Sequence, residues 1–352
     1  MARLLSYLGL QKITNFPLPQ LQTRSHVYSV TGNLALIQKL LPVCENSYDY
    51  AQQELKWLSL HVVNNLRQQG HLREKDSVSS NSNDCYDNHP QTTDEAWKIM
   101  SLEEKEVLSA LVRQRVEQSK PLQYILGTQP FLDLEIITRP PVLIPRWETE
   151  EWTSYLINLL NSHLDAPKRK PRLPFKILDI CTGSGCIGLA LAHNLTHNTC
   201  TIHAIDNAPD ALLLAQKNIS VHNPHNRVIL SNLDIMKSIS NPPYVTRAEY
   251  ETLSNEIKLW EDKRALVADN EDGTAFHQRI AKLALGLPLL RKQDIETTKI
   301  ETLPRVVMEI GGENQVKIVK EALYENGFGW VKVWKDAAGK DRCVIAGTLF
   351  SK

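Results

Sequence analysis

Two stretches of this sequence carry residues whose types and spacing can do chemistry: Asn241-Pro242-Pro243-Tyr244 and the glycine turn around Gly183. An amide nitrogen is a poor nucleophile, because its lone pair is delocalised into the carbonyl. A site that alkylates it must hold both N–H hydrogens and aim the nitrogen. The Asn241 side-chain oxygen can accept one hydrogen and the Pro242 carbonyl the other. Proline fixes φ and stiffens that acceptor. Tyr244 can pack on the planar amide. The gain is alignment, with the reacting atoms about 3–3.5 Å apart. Alone the tetrapeptide reads as a turn, since Asn-Pro and Pro-Pro mark turns anyway. Its pairing with the glycine turn favours the chemical reading.

That turn runs Asp179-Ile180-Cys181-Thr182-Gly183-Ser184-Gly185-Cys186-Ile187-Gly188. Gly183, Gly185 and Gly188 satisfy GxGxxG, and Asp206 follows 21 residues after Gly185. This is a nucleotide fingerprint: glycines admit the ligand close to the backbone, and the acid holds ribose hydroxyls. Asp179 narrows the ligand. A fixed carboxylate four residues before Gly183 would repel a pyrophosphate seated in the turn. It would attract the sulfonium and ammonium of S-adenosyl-L-methionine, so that cofactor is favoured over NAD. Read without a ligand, Asp179 is a turn or helix-capping residue.

The elements that position these residues alternate. Phe175–Ile180 reads as a strand, followed by the turn and a helix to about 195. Thr201–Ile205 is a second strand, 209–221 a helix, and Val228–Leu230 a third strand. Arg305–Ile310, Trp330–Trp334 and Cys343–Leu349 read as later strands, with a helix at 314–326. Strand–helix alternation implies an α/β fold: a doubly wound, mainly parallel Rossmann-like sheet with helices on both faces. Before it, 33–70 reads as helical, with Leu55, Leu58, Val62 and Leu66 on one apolar face. A second helix is read at 95–118, and a β-hairpin over 122–144 that begins with Tyr124-Ile125-Leu126 as strand. The expected organisation is an N-terminal segment 1–30, a helical domain 31–120 with a polar insertion at 74–94, a β-hairpin linker 121–147 and a catalytic domain 148–352.

Composition narrows the partners. Lys+Arg and Asp+Glu are both 40, so the formal net charge is zero in 352 residues. A grip on long nucleic acid normally needs a basic excess. Six scattered cysteines are too few for a disulfide scaffold, and no metal site is read. No apolar run reaches the ~18 residues of a membrane span. No Asp or Glu precedes Glu45, whereas Arg3, Lys12, Arg24 and Lys39 do, as in a mitochondrial transit segment; cytoplasmic residence is the alternative.

The chain resembles the HemK/PrmC family of protein-(glutamine-N5) methyltransferases of peptide-chain release factors. The resemblance rests on Pro121–Gly127, Val142–Glu150, Leu178–Gly188, Asp206, Asn241–Tyr244, Glu309-Ile310-Gly311, and Lys335-Asp336 with Asp341-Arg342. It implies that Cys181, Thr182, Gly183, Ser184 and Gly185 wrap the methionine part of S-adenosyl-L-methionine, that Asp206 holds the ribose, and that Ile235 borders the adenine. It implies that Asn241 touches both cofactor and glutamine, that Pro242, Pro243 and Tyr244 frame the glutamine, and that Phe131 and 143–150 wall the pocket. The substrate glutamine would belong to a Gly-Gly-Gln tip. With the acid-poor N-terminus, the partner expected is a mitochondrial release factor, gripped by the helical domain.

Two positions depart from the family pattern. Trp147 stands where proline is usual. Between Asp234 and Asn241 there is only Ile235-Met236-Lys237-Ser238-Ile239-Ser240, where the family has an apolar strand. Lys237 and Ser238 suit a doubly buried strand poorly, so the segment reads as about ten residues short. The alternatives are therefore an isoform impaired in transfer, a release-factor-binding protein without turnover, or an N6-adenine nucleic-acid methyltransferase, which shares NPPY. His277 reads as a helix-start cap after Glu271–Phe276. Glu309 reads as a strand-end acid.

Overall fold

The computed structural model describes residues 27–74, 92–164, 175–195, 200–223, 226–233, 243–268, 270–285 and 303–348. Most of the expected transit segment, most of the polar insertion, Ile235, Asn241 and Pro242 lie outside them. The chain divides into two compact units, with the boundary between Val112 and Arg113.

The first unit is helical: α1 Val27–Leu40, a 3-10 turn Leu41–Val43, α2 Tyr48–Glu74, α3 Thr93–Ile99, and the first part of α4 Leu102–Glu117. The single helix expected over 33–70 is two. Pro42 lacks the N–H that would continue the ladder, and Glu45 and Asn46 then take positive φ. Leu55, Leu58 and Val62 of α2 are buried, as the periodicity requires. The helix expected over 95–118 is also two. Met100 is extended, and Ser101 and Glu104 exchange backbone and side-chain bonds that start a new helix.

Gly32 of α1 lies so close to the Trp97 ring that a Cβ there would clash with it. Gly32→Ala is expected to destabilise the helical unit by about 1–3 kcal/mol through overpacking. Thermal unfolding followed by circular dichroism checks this; an unchanged melting temperature would refute it.

The second unit takes the end of α4 and continues with α5 Leu122–Leu126. Tyr124-Ile125-Leu126 is thus helical rather than strand: Gly127, at φ 85, caps the turn in left-handed geometry before the hairpin starts. The hairpin pairs β1 Thr128–Phe131 with β2 Leu134–Ile137. After α6 Trp147–Leu164 come β3 Phe175–Ile180, α7 Cys186–Asn194, β4 Cys200–Asp206, α8 Pro209–His222 and β5 Val228–Asn232. The strands pair in parallel in the order β3-β4-β5, with Ile177, Ile202 and Val228 in line. Short helices α9 Arg247–Thr252 and α10 Asn255–Trp260 precede α11 Ala275–Ala284, β6 Val306–Glu309, α12 Glu313–Glu325, β7 Trp330–Lys335 and β8 Asp341–Gly347. The last three strands pair antiparallel in the order β6-β8-β7. Among the described residues, no strand joins β3 to β6.

Packing nevertheless unites the two sheets. One cluster holds Ile205 of β4, with Leu178 and Ile180 of β3 against it, together with Met308, Ile310, Val344 and Leu323. A second cluster gathers Leu189, Ile202 and Val228 with the hairpin residues Phe131, Leu134 and Ile136.

Candidate active site

The glycine turn leaves β3 at Ile180 and enters α7 at Cys186. Cys181, Gly183 and Gly185 all have positive φ, and the Thr182 N–H donates to the Ile205 carbonyl at 3.0 Å, tying the turn to the end of β4. Asp179 is buried; one of its oxygens accepts from the Thr182 hydroxyl at 2.7 Å and the Gly188 N–H at 3.0 Å. Gly188 must be glycine, because a Cβ there would come within 2.9 Å of that same oxygen. Burial pushes the Asp179 carboxyl up to about 6, against those two hydrogen bonds.

Asp206 accepts from the N–H groups of Gly183 at 3.0 Å, Asn207 at 2.8 Å and Ala208 at 3.0 Å. Backbone donors that a dinucleotide turn offers to a pyrophosphate are spent here on two carboxylates of the chain itself. Two acids at one turn suit a cationic ligand. The donor set therefore fits S-adenosyl-L-methionine and disfavours a pyrophosphate.

Behind this turn stands a residue the sequence reading passed over. Asn218 of α8 is fully buried. Its oxygen accepts from the Ile137 N–H at 2.8 Å, and its nitrogen donates to the Ile137 carbonyl at 3.1 Å and the Ser184 carbonyl at 2.9 Å. It pins the hairpin to the glycine turn. The signal was present: Ala211, Leu214, Ala215, Asn218 and Ile219 form one core-facing stripe, in which asparagine is the polar exception.

Of the NPPY stretch, Pro243 and Tyr244 are described. Pro243 is buried. The Tyr244 hydroxyl donates to Glu309 Oε1 at 3.2 Å. The other Glu309 oxygen accepts from Thr149 Oγ1 at 2.7 Å and Trp152 Nε1 at 2.9 Å, both on α6. The adjacent carboxylate, reinforced by burial, holds the Tyr244 phenol far above its usual range, so it stays a donor. The stretches Val142–Glu150 and Asp341-Arg342, far apart in sequence, meet here. Arg342 reaches Glu148 at 3.3 Å and Asp336 at 2.9 Å, and Arg146 reaches Glu261 at 2.5 Å.

Residues 156–266 match the model of the Methyltransferase small domain. Over 246 residues the chain is 35% identical to the protein of Schizosaccharomyces pombe named probable MRF1 mitochondrial N(5)-glutamine methyltransferase mtq1, covering 64% of this chain and 74% of that protein. The chain belongs to the release factor glutamine methyltransferase family. It is 34% identical to the release factor glutamine methyltransferase of Fusobacterium nucleatum over 69% of this chain and 64% of that one. It is 37% identical to the mitochondrial MRF1 N(5)-glutamine methyltransferase MTQ1 of Saccharomyces cerevisiae over 43% of this chain and 51% of that one.

Phe131, expected as a pocket wall, is 1% exposed and packs with Leu134, Ile136, Ile157 and Leu189. One expectation within this methyltransferase is corrected. His277 is not a helix-start cap. It is the third residue of α11, fully buried, with Nε2 2.7 Å from the Glu309 carbonyl. The start of α11 is held instead by Asp272, which accepts from the Thr274 N–H at 2.8 Å, and by Asn270, which accepts from the Ala275 N–H at 3.0 Å. Trp147 begins α6 and is partly exposed, so the turn tolerates the loss of proline. No group of His, Cys, Asp or Glu fit to hold a metal exists among the described residues, and no described helix is long and apolar enough to cross a membrane.

Proposed function

We propose that the chain methylates the N5 amide nitrogen of the Gly-Gly-Gln glutamine of a peptide-chain release factor, the mitochondrial one, using S-adenosyl-L-methionine. The observation that carries this reading is the pair of buried carboxylates, Asp179 and Asp206, at a glycine turn whose donors they occupy. Bound there, the cofactor supplies a methyl group on a cationic sulfur. Asp179, Cys181, Thr182, Gly183, Ser184, Gly185, Asp206, Ile235 and Asn241 are the residues proposed to hold it. Asn241 and the Pro242 carbonyl accept the two amide hydrogens of the glutamine. Pro243 and Tyr244 frame its plane. As the N–C bond forms, the methyl's bond to sulfur would break with its electron pair staying on sulfur, and the strongly acidic N-methylated amide would then give its extra proton to water, so no strong base is required at the outset. Family membership and the acid-poor N-terminus support a mitochondrial release factor and mitochondrial residence.

Purified chain, labelled cofactor and a mitochondrial release factor test the reading, with the Gly-Gly-Gln peptide weighed by mass spectrometry. One added methyl on that glutamine is expected. Asn241→Ala is expected to lower the rate by about 100-fold or more, since alignment is the main catalytic contribution. Methylation on adenine instead, or none with a functional cofactor site, overturns it. One sequence feature favours a second reading, a chain that binds cofactor but transfers slowly: only six residues separate Asp234 from Asn241. Cofactor binding without methylation would support it.

A further inference from the structure

Gln315, on the first turn of α12, is 1% exposed and makes three hydrogen bonds, all to backbone. Its nitrogen donates to the Tyr244 carbonyl at 2.8 Å and the Asp272 carbonyl at 3.0 Å, and its oxygen accepts from the Gly311 N–H at 2.8 Å. Three separate loops thus converge on one carboxamide. Only Gln or Asn offers two donors and an acceptor on one planar group, and Asn is one methylene too short to span from this helix.

The surroundings are shaped to admit this contact. A Cβ on Gly273, which has φ +76, would collide with both the Tyr244 carbonyl and the Gln315 nitrogen. A Cβ on Gly311 would press on the Tyr244 ring at 3.1 Å. Tyr244 is therefore held at its carbonyl by Gln315, at its ring by Gly311 and at its hydroxyl by Glu309.

We propose that Gln315 is a positioning residue for methyl transfer: it fixes Pro243-Tyr244, and with them the frame of the substrate amide, by clamping the Tyr244 carbonyl. The clamp acts through Tyr244 and touches neither reactant. This inference rests on the transfer reading given above. It predicts that the cofactor half of the site is indifferent to Gln315, because none of its three bonds reaches β3, the glycine turn or Asp206.

Gln315→Glu keeps the shape but turns two donors into lone pairs facing two carbonyls. Gly273→Ala attacks the same contact from the opposite side. Both variants are expected to lower kcat for release-factor methylation by about 10- to 100-fold. The cofactor dissociation constant, measured by calorimetry, should stay within about twofold. Hydrogen exchange read by mass spectrometry supplies a measure that needs no turnover: exchange should quicken over 244–250 and 270–275, where the two lost carbonyl contacts lie, and stay unchanged over 181–188. An unchanged kcat in an active enzyme, or exchange quickened equally over 181–188, overturns the proposal. If the wild-type chain methylates nothing, the functional reading falls while the exchange data still decide the clamp. If Gln315→Glu does not fold, Gly273→Ala carries the same test.

Discussion

Taking the wild-type chain from pH 8 to pH 5 is expected to weaken S-adenosyl-L-methionine binding about tenfold, and Asp179→Asn to abolish that dependence. Burial holds the Asp179 carboxyl up to about 6, so it is ionised at pH 8 and mostly protonated at pH 5. The cation-attracting charge is lost over that interval. Calorimetric titrations at pH 5, 6, 7 and 8 decide the matter. A flat wild-type profile, or a variant that binds as tightly as wild type at pH 8, would sink the idea.

Stability without ligand runs the other way. A carboxyl whose folded pKa is raised contributes most stability below its unfolded value of 3.8 and loses it as pH climbs through about 6. The full excursion is about 3 kcal/mol. Asp179→Asn should therefore melt higher than wild type at pH 8. His277 opposes this. Burial pushes it down to about 4, so its contribution is present above 6.5 and lost as pH falls through about 4. At pH 5 that loss is about 2 kcal/mol. Between pH 8 and pH 5 Asp179 regains about 1 kcal/mol against that loss, so the two linkages partly offset in the wild type, and Asp179→Asn uncovers the acid-side loss from His277.

Asn218→Ala should produce the other large effect. It strands the Ile137 N–H, the Ile137 carbonyl and the Ser184 carbonyl together. At roughly 1–3 kcal/mol for each unpaired buried group, partly relieved by water, the cost is about 3–5 kcal/mol. Because Ser184 belongs to the glycine turn proposed to hold S-adenosyl-L-methionine, affinity for that cofactor should fall in parallel with the melting temperature. A variant that loses stability yet binds normally would show that the hairpin and the turn are independent.

The parallel half of the fold was legible because its marks are local. Apolar runs, a glycine turn and an acid at the next strand end follow one another from Phe175 to Asp206, and the structure keeps each in place. The direction of the C-terminal strands was not legible, since an alternating or continuous apolar run carries no sign of which way its neighbour points. Tyr124–Leu126 misled because β-favouring residues sit in a single helical turn, whose end is set by Gly127 alone. The deeper miss concerns Gln315 and Asn218. Each occupies a position that helical periodicity assigns to the core: Gln315 lines up with Val319, Ala322 and Leu323. A lone polar residue in such a stripe looks like noise in a hydrophobic pattern. Physically it is the opposite, because burying an amide is tolerated only where all its bonds are made. The Glu309 contacts were out of reach for another reason: Thr149, Trp152 and Tyr244 are brought to it only by the packing of α6 against the C-terminal sheet.

By hydrogen bonding the described sheet is two three-stranded pieces, but by packing it is one. Ile205, Leu178 and Ile180 share a cluster with Met308, Val344 and Leu323. Cooperativity follows packing, so residues 113–348 should melt in a single calorimetric transition whose van't Hoff and measured enthalpies agree. The glycine turn and the socket that grips Tyr244 would then be lost at the same temperature, leaving no thermal interval in which the chain retains one without the other.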